Sequence, residues 1–197
     1  MAKKTVLIVW LMILFGGLLT EAARCQAAEV FPAEGGVLPS ISLPIPEQSG
    51  LRDYLGLDGK GAFNIPGVRA DLVIIEIFSM YCPFCQKEAP NVNELFRIID
   101  NSTEWKNRIK MIGIGAGNSP FEVDVFRKTY SISFPLFPDS DFSLYEALGK
   151  VRTPFFIVVK VDKDGSHKVI YSKGGGFGEP TAFLDLILKE SGLQKGA

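Results

Sequence analysis

The chain has 197 residues, of which 47% are hydrophobic, and its 21 basic and 22 acidic residues give a formal net charge of −1. This is the composition of one ordinary globular domain, and it excludes collagen, a coiled coil, a disordered chain and a small disulfide-rich scaffold. A net charge near zero, without a dense block of Lys or Arg, gives no electrostatic reason to bind nucleic acid or an anionic membrane surface. Protein or small-molecule partners are therefore expected.

Residues 1–28 are predicted to be a secretory signal peptide. Lys3 and Lys4 precede an uncharged, mostly apolar stretch over residues 5–20, and small residues lead to Ala28, which is the order of such signals. The alternative is an uncleaved membrane anchor, although a spanning helix needs about 20 apolar residues. Either outcome places the folded domain in the periplasm or otherwise outside the cytoplasm, with membrane contact through this segment alone.

Residues 29–50 are rich in Pro, Gly and Ser, and this composition predicts an extended lead-in to a domain that covers residues 51–197. Apolar runs and helical spacing then predict, in chain order, a strand at 72–78, a helix that starts at the CPFC sequence and is kinked at Pro90, a strand at 109–116, a helix at 119–130 capped by Ser119, a short helix at 142–148, strands at 154–162 and 167–173, and a helix at 180–188. Because strands and helices alternate, the predicted fold class is α/β with parallel strands at its core.

The cysteines of the CPFC sequence, Cys82 and Cys85, follow the first predicted strand and open its helix. A cysteine in the first helical turn faces unpaired backbone N–H groups and the positive end of the helix dipole, which favour its thiolate. Since the thiolate is the attacking form, Cys82 is predicted to be the nucleophile. Cys85 is placed to attack a mixed disulfide formed at Cys82 and is predicted to be the resolving cysteine.

Two other interpretations of the cysteine pair are weaker. A structural zinc site needs four protein ligands and a catalytic one needs three, whereas the chain after residue 28 offers only Cys82, Cys85 and His167, and His167 is far away in sequence. No metal is therefore expected. A permanent structural disulfide would close too short a loop to constrain the unfolded chain strongly, so a redox-active pair is the preferred interpretation.

At this point the sequence resembles the thioredoxin superfamily and, within it, the exported TlpA-like and ResA-like thiol:disulfide oxidoreductases. The resemblance covers roughly residues 50–190 and depends on three features: the strand, CPFC and helix of LVIIEIFSMYCPFCQKEAP, then Glu76 six residues before Cys82, then Thr153-Pro154 at the start of a strand. It implies a thioredoxin-like fold with a central mixed β-sheet flanked by helices.

The resemblance also implies that Glu76 is a buried acid beneath the cysteines. A carboxyl group in an apolar strand is costly to ionise, so its pKa should rise toward neutrality. Such a group is suited to take the proton of Cys85 while the mixed disulfide is resolved. The alternative is a solvated charge on an edge strand.

Substrate contacts are implied by the same resemblance. Pro154 matches the cis-proline of the family, and the backbone of Thr153 would pair with a substrate peptide in a short β-like contact. Tyr81, Pro83 and Phe84 would supply an apolar rim around the cysteines. Tyr81 and Phe84 could equally be core residues.

The function implied by the resemblance is that of a reductase. Cys82 would attack a disulfide of a client protein, Cys85 would release the product, and a membrane thiol donor would reset the pair. The redox-active Cys82–Cys85 disulfide would serve without a further cofactor, and apocytochrome c is the client that the resemblance most readily suggests. Thioredoxins, however, carry Trp before the first cysteine and Gly-Pro between the two, whereas this chain has Tyr81 and Pro83-Phe84. Because the reduction potential varies across about 150 mV within this fold, a disulfide-forming oxidase or isomerase on the same residues stays open.

Functions of two other classes are also considered. A peroxiredoxin-type peroxidase has Thr or Ser near a lone peroxidatic cysteine at a helix start, and the sequence contains no TxxC. A copper-handling module on the same fold would resemble CxxxC with a distant His. Here the cysteine spacing is one residue shorter, and His167 lies in a polar stretch beside a turn, which is typical of a surface residue.

Overall fold

The computed structural model describes residues 31–193. The predicted signal peptide and the first two residues of the predicted lead-in lie outside the described residues. Within residues 31–193, no helix combines the length and the apolar character that crossing a bilayer requires.

A mixed five-stranded sheet forms the centre of the domain. In chain order the strands are β1 (Leu43–Pro44), β2 (Ala62–Phe63), β3 (Leu72–Phe78), β4 (Ile109–Ala116), β5 (Leu136–Asp139), β6 (Phe155–Val161) and β7 (His167–Gly174). The order across the main sheet is β5-β4-β3-β6-β7, while β1 and β2 form a separate antiparallel pair. β3, β4 and β5 are parallel, and β6 and β7 are antiparallel to their neighbours. The predicted α/β class with a central mixed sheet is therefore confirmed.

The helices flank this sheet. They are α1 (Ser49–Leu55), α2 (Pro83–Asn101), α3 (Pro120–Tyr130), α4 (Ser143–Ala147) and α5 (Pro180–Ser191), with a short 3₁₀ turn at Ile65–Gly67. The four helices predicted from the sequence are present, and Pro90 lies inside α2 as expected. At the start of α3, the side chain of Ser119 accepts the Glu122 N–H while the Glu122 side chain accepts the Ser119 N–H, which is a capping box.

Strand β3 contributes to the apolar core on both faces of the sheet. All seven of its residues are buried, and its six apolar side chains are divided between two apolar clusters, one on each face of the sheet. Burial of each Leu, Ile or Phe side chain contributes roughly 1.5–3 kcal/mol, and a shift by one residue would exchange the two faces. Its apolar neighbours therefore fix the register of β3 and hold Glu76 inside the protein.

The segment before β3 packs on one face of the sheet. Leu38, Ile41 and Leu43 are almost fully buried in the same cluster as Val73 and Ile75 of β3. The predicted lead-in has a turn at residues 34–36 and contains strand β1, and helix α1 begins at Ser49. The described part of the lead-in thus packs against one face of the sheet.

Strand β5 and helix α1 were not predicted from the sequence. β5 is an edge strand that contains Pro138, and proline is tolerated in sheets at edges because it cannot donate to the ladder. The same proline makes the sequence look like a turn. α1 has seven residues and one buried side chain, Leu55, so its helical periodicity is too short to stand out.

Candidate active site

Cys82 is the N-cap residue of α2, at the point where the chain leaves β3. Four residues separate the two elements, and the Cys82 N–H donates to the Ser79 carbonyl at 3.0 Å, closing a tight turn. Pro83 occupies the first helical position, where its missing N–H has no cost. Cys82 is partly exposed, whereas Cys85 is buried one turn later, and both are free thiols.

The surroundings of Cys82 favour its thiolate. The thiol lies 3.2 Å from the Thr153 carbonyl oxygen, to which it donates when protonated. Partial burial opposes ionisation, but hydrogen bonds from the Thr153 hydroxyl, the Cys85 backbone and thiol, and the Phe84 backbone outweigh it and lower the pKa of Cys82. The helix start therefore acts on this sulfur as the sequence predicts.

The surroundings of Cys85 instead favour its protonated thiol. Burial raises its pKa well above the usual range, and the nearby charges of Glu76 and of a Cys82 thiolate raise it further. A backbone hydrogen bond from Ser79 opposes this rise. Cys85 is thus a protonated thiol at neutral pH and needs a base before it can attack.

Glu76 lies in the middle of the central strand, between Gly113 of β4 and Phe156 of β6. Only 2% of its surface is exposed, and its Oε1 has no hydrogen-bond partner among the described residues. Burial, helped by the charge of Glu88, raises the pKa of Glu76 to about 8. The expectation of a solvated charge on an edge strand is wrong, and the expectation of a buried acid with a raised pKa is confirmed.

A second buried acid, Glu88, was not predicted from the sequence. Its Oε1 accepts the backbone N–H of Phe177 at 3.1 Å, and a Cβ built on Gly176 would lie 2.4 Å from its Oε2. Burial raises the pKa of Glu88, while the hydrogen bonds from Phe177 and Asn91 partly oppose the rise. Glu88 follows Cys85 by three residues, which places both on one face of a helix, and this spacing was a signal that the sequence offered.

Thr153 and Pro154 lie beside the cysteines, as the resemblance implies. The Thr153-Pro154 peptide bond is cis, and the Pro154 carbonyl accepts the Gly175 N–H at 2.8 Å, which ties it to the end of β7. Thr153 is partly exposed next to Cys82. Its backbone therefore borders the sulfur that would meet a substrate.

Tyr81, Pro83 and Phe84 are exposed around Cys82. The exposed fractions of Tyr81 and Phe84 are 65% and 72%, so the alternative that they are core residues is wrong. The Tyr81 hydroxyl donates to a carboxylate oxygen of Glu122 in the first turn of α3. The hydrogen bond holds one aromatic ring of this apolar rim against a helix start.

The described residues contain no group of three or more His, Cys, Asp or Glu side chains arranged to hold a metal ion. His167 pairs with Val161, the last residue of β6, whereas Phe155 is the first residue of that strand. Since a strand rises about 3.3 Å per residue, His167 lies roughly 20 Å from the end of β6 that borders Cys82. It approaches the Leu38 carbonyl at 3.3 Å instead. The copper interpretation, which needs His167 beside the cysteines, has no support in this geometry.

Comparison with known proteins gives sequence relatives that are described as thiol-disulfide oxidoreductases. No family model matches the chain. The chain is 25% identical over 138 residues to the thiol-disulfide oxidoreductase ResA of Halalkalibacterium halodurans, and the match covers 68% of this chain and 66% of that relative. For the ResA of Geobacillus kaustophilus the share of the relative is 64%, so the chain spans just under two thirds of the length of these curated relatives.

Solved structures agree in fold. A Chlorobium tepidum protein described as the thiol:disulfide interchange protein DsbE has a TM-score of 0.60 at 14% identity, covering 81% of this chain and 99% of that one. A Mycobacterium tuberculosis disulfide oxidoreductase, described as secreted and homologous to DsbE of E. coli, has a TM-score of 0.50 at 15% identity, covering 65% and 89%. The chain has the thioredoxin-like fold and is similar in sequence to the ResA-type thiol-disulfide oxidoreductases.

Proposed function

We propose that this protein is an extracytoplasmic thiol:disulfide oxidoreductase that reduces disulfide bonds in client proteins. The observation that carries the proposal is the contrast between the two sulfurs at the start of α2. Cys82 is partly exposed and has a lowered pKa, whereas Cys85 is buried and has a raised pKa. Cys82 is thereby suited to attack a substrate, and Cys85 is suited to react only after the substrate is bound to Cys82.

In the proposed reaction the Cys82 thiolate attacks one sulfur of a client disulfide. The client S–S bond breaks, its other sulfur leaves as a thiolate, and a mixed disulfide joins the client to Cys82. The Cys85 thiol then loses its proton and attacks the Cys82 sulfur. This releases the second client thiolate and leaves a Cys82–Cys85 disulfide, so two electrons pass from the protein to the client. A membrane thiol donor then reduces the pair again.

The proton of Cys85 is proposed to go to Glu76. The Glu76 carboxylate is close enough for its charge to raise the pKa of Cys85. Its Oε1, which has no hydrogen-bond partner within residues 31–193, can accept a proton. With a pKa of about 8, Glu76 is partly ionised near neutral pH, where a general base is most useful. This role gives a reason for a carboxyl group in an otherwise apolar strand.

The client peptide is proposed to pair with the exposed backbone of Thr153, next to cis-Pro154. Side chains flanking the client cysteine would lie on the rim formed by Tyr81, Pro83 and Phe84. We extend the proposal to apocytochrome c as the client, on the resemblance alone, since its heme-attachment cysteines must be reduced outside the cytoplasm. Reduction of a peptide that carries an oxidised heme-attachment pair tests this extension directly.

The direction of electron flow is tested by equilibrating the purified protein with glutathione buffers. A reductase should give a potential well below that of a strong oxidant, which is about −120 mV. A value near −120 mV would assign the same residues to disulfide formation or isomerisation. Peroxide consumption no faster than that of a free thiol would remove the peroxidase interpretation.

Clients and donor are identified by trapping. Cys85→Ser should halt the reaction at the mixed disulfide on Cys82, so that disulfide-linked partners are recovered from cells and released by reductant. Cys82→Ser is the matched control and should capture none of the same partners. Recovery of equal adducts from both variants would overturn the assignment of the nucleophile.

A location outside the cytoplasm is supported by the charged, apolar and small-residue order of residues 1–28. The structural neighbour from Mycobacterium tuberculosis is described as secreted. N-terminal sequencing of the protein recovered from the periplasmic fraction should begin close to residue 29 if the signal is cleaved. Recovery from the cytoplasmic fraction, with residue 1 intact, would contradict the proposal.

A further inference from the structure

We propose that Asn118 is a positioning residue that holds the two sulfurs in the geometry needed for the second thiol exchange. This inference rests on the proposed function, because it concerns the step in which Cys85 attacks the Cys82 mixed disulfide. Asn118 lies in the connection from β4 to α3, outside the CPFC sequence. It reaches the site through the turn that precedes Cys82.

Asn118 is fully buried, and its side chain is directed at the turn between β3 and α2. Its Oδ1 accepts the Met80 backbone N–H at 2.8 Å, and its Nδ2 lies 3.5 Å from the Ser79 hydroxyl. Met80 is partly buried and lies outside the strand ladders and helices. The Asn118 side chain therefore accepts the Met80 N–H, which lies outside the hydrogen-bonding pattern of helices and strands.

The peptide unit held by Asn118 also contacts the nucleophile. It joins Ser79 to Met80, and its carbonyl oxygen, on Ser79, accepts the Cys82 N–H at 3.0 Å. The preceding N–H, also on Ser79, hydrogen-bonds the Cys85 sulfur. One short piece of backbone thus contacts both cysteines: the Ser79–Met80 peptide contacts Cys82, and the peptide before it contacts Cys85.

Asn118 is itself held rigidly. Its N–H donates to the Gly115 carbonyl at 3.0 Å, and its carbonyl accepts the Asp139 N–H at 3.2 Å and the Ser140 hydroxyl at 3.3 Å. A Cβ built on Gly115 would lie 3.2 Å from the Asn118 Cβ, so the side chain packs directly on the β4 backbone. Because the Asn118 backbone is bonded to the sheet and its side chain to Met80, Asn118 fixes the turn before Cys82 relative to the sheet.

The two exchange steps depend differently on this geometry. In the first, the Cys82 thiolate attacks an external disulfide, so its rate depends on the ionisation and exposure of one sulfur. In the second, Cys85 must reach the Cys82 sulfur in line with the leaving group, and an error of about 1 Å in placement can cost on the order of a hundredfold. Loss of Asn118 should therefore slow the second step and spare the first.

The probe is dithiobis-nitrobenzoate, a small aromatic disulfide, mixed with the reduced protein in a stopped-flow instrument. Attack by Cys82 breaks the S–S bond of the probe and releases one coloured thiolate; attack by Cys85 on the mixed disulfide releases the second and leaves the Cys82–Cys85 disulfide. In Asn118→Leu, which has the same number of side-chain heavy atoms and no acceptor, the first release should keep its wild-type rate. The second should slow by about tenfold or more, the scale of one lost buried hydrogen bond.

Val123→Ala is the matched control, since Val123 packs over the same Gly115 without a hydrogen bond to the cysteine turn. It should lower stability to urea while leaving both release rates unchanged. If Asn118→Leu does not fold, Asn118→Ala removes the same acceptor without steric demand. Unchanged second release in a folded Asn118 variant, or equal slowing of both releases, would overturn the positioning role. A wild-type protein that releases no second thiolate would instead contradict the proposed function.

Discussion

The Cys82 sulfur lies 3.2 Å from the carbonyl oxygen of Thr153, although 71 positions separate the two residues in the chain. The pairing of strands in the sheet brings the two residues together. β3 and β6 are antiparallel neighbours with Ile77 opposite Phe155, so the loop that follows one strand meets the loop that precedes the other. The nucleophile and the backbone that borders it are therefore brought together by the pairing of two buried strands.

Thr153→Val should raise the pKa of Cys82. The Thr153 side chain is among the groups whose hydrogen bonds lower that pKa, so removing its hydroxyl should move the pKa upward. The measurement is the pH dependence of iodoacetamide alkylation at Cys82, in a Cys85→Ser background. Thr129→Val, an exposed threonine in α3, is the control and should leave the profile unchanged. An unshifted profile in Thr153→Val would mean that the helix start alone sets the acidity of Cys82.

Glu76→Gln should make the protein more stable than the wild type at alkaline pH. The pKa of Glu76 is raised from 4.5 to about 8 by burial, so the folded state binds more protons than the unfolded state between these values. Stability of the wild type must then fall as the pH rises through this window, by roughly 4–5 kcal/mol in total. The neutral amide removes this dependence.

Urea unfolding at pH 5, 7 and 9 checks this expectation. The wild-type and Glu76→Gln curves should lie close together at the lowest pH and separate as the pH rises. The same variant should slow release of the mixed disulfide, because the amide cannot accept the Cys85 proton. Parallel stability curves across the range would show that folding does not raise the pKa of Glu76.

Local patterns in the sequence were sufficient for some features of the fold and site. The apolar run of β3 predicted a buried strand, and Ser119 predicted the start of α3, because both signals lie within a few residues. The buried state of Glu76 followed from its neighbours for the same reason. β5 was missed because Pro138 removes a donor that only an edge strand can do without.

Other site features depend on contacts between distant segments. Glu88 hydrogen-bonds Phe177, 89 positions away, and Asn118 reaches Met80 across 38 positions. Neither partner is identifiable from the sequence around the side chain, since the contact exists only after β4 and β7 have joined the sheet. Spacing placed Glu88 on the Cys85 face of α2, but only the packed structure gives that position a partner.

Phe84→Ser should weaken client binding without weakening the fold. The Phe84 ring is 72% exposed next to Cys82, so its loss should change stability by no more than about 0.5 kcal/mol. If the ring packs on a client side chain, KM for an oxidised peptide substrate should rise by about fivefold, corresponding to roughly 1 kcal/mol at an interface. Phe121→Ser, an equally exposed ring on α3, is the control. An equal rise in KM in both variants, or in neither, would remove the specific role of Phe84.

Gly176→Ala should destabilise the protein through Glu88. A Cβ at position 176 would lie 2.4 Å from Glu88 Oε2, so either the carboxylate or the loop after β7 must move, at a cost of about 1–3 kcal/mol. Gly67→Ala is the control, because a Cβ there meets nothing within 4 Å, and its effect should stay within about 0.5 kcal/mol. In a Glu88→Ala background the obstacle is gone, and the cost of Gly176→Ala should largely disappear. A double-mutant cycle by urea unfolding measures this coupling, and additive effects of the two substitutions would show that the carboxylate does not rest on Gly176 in solution.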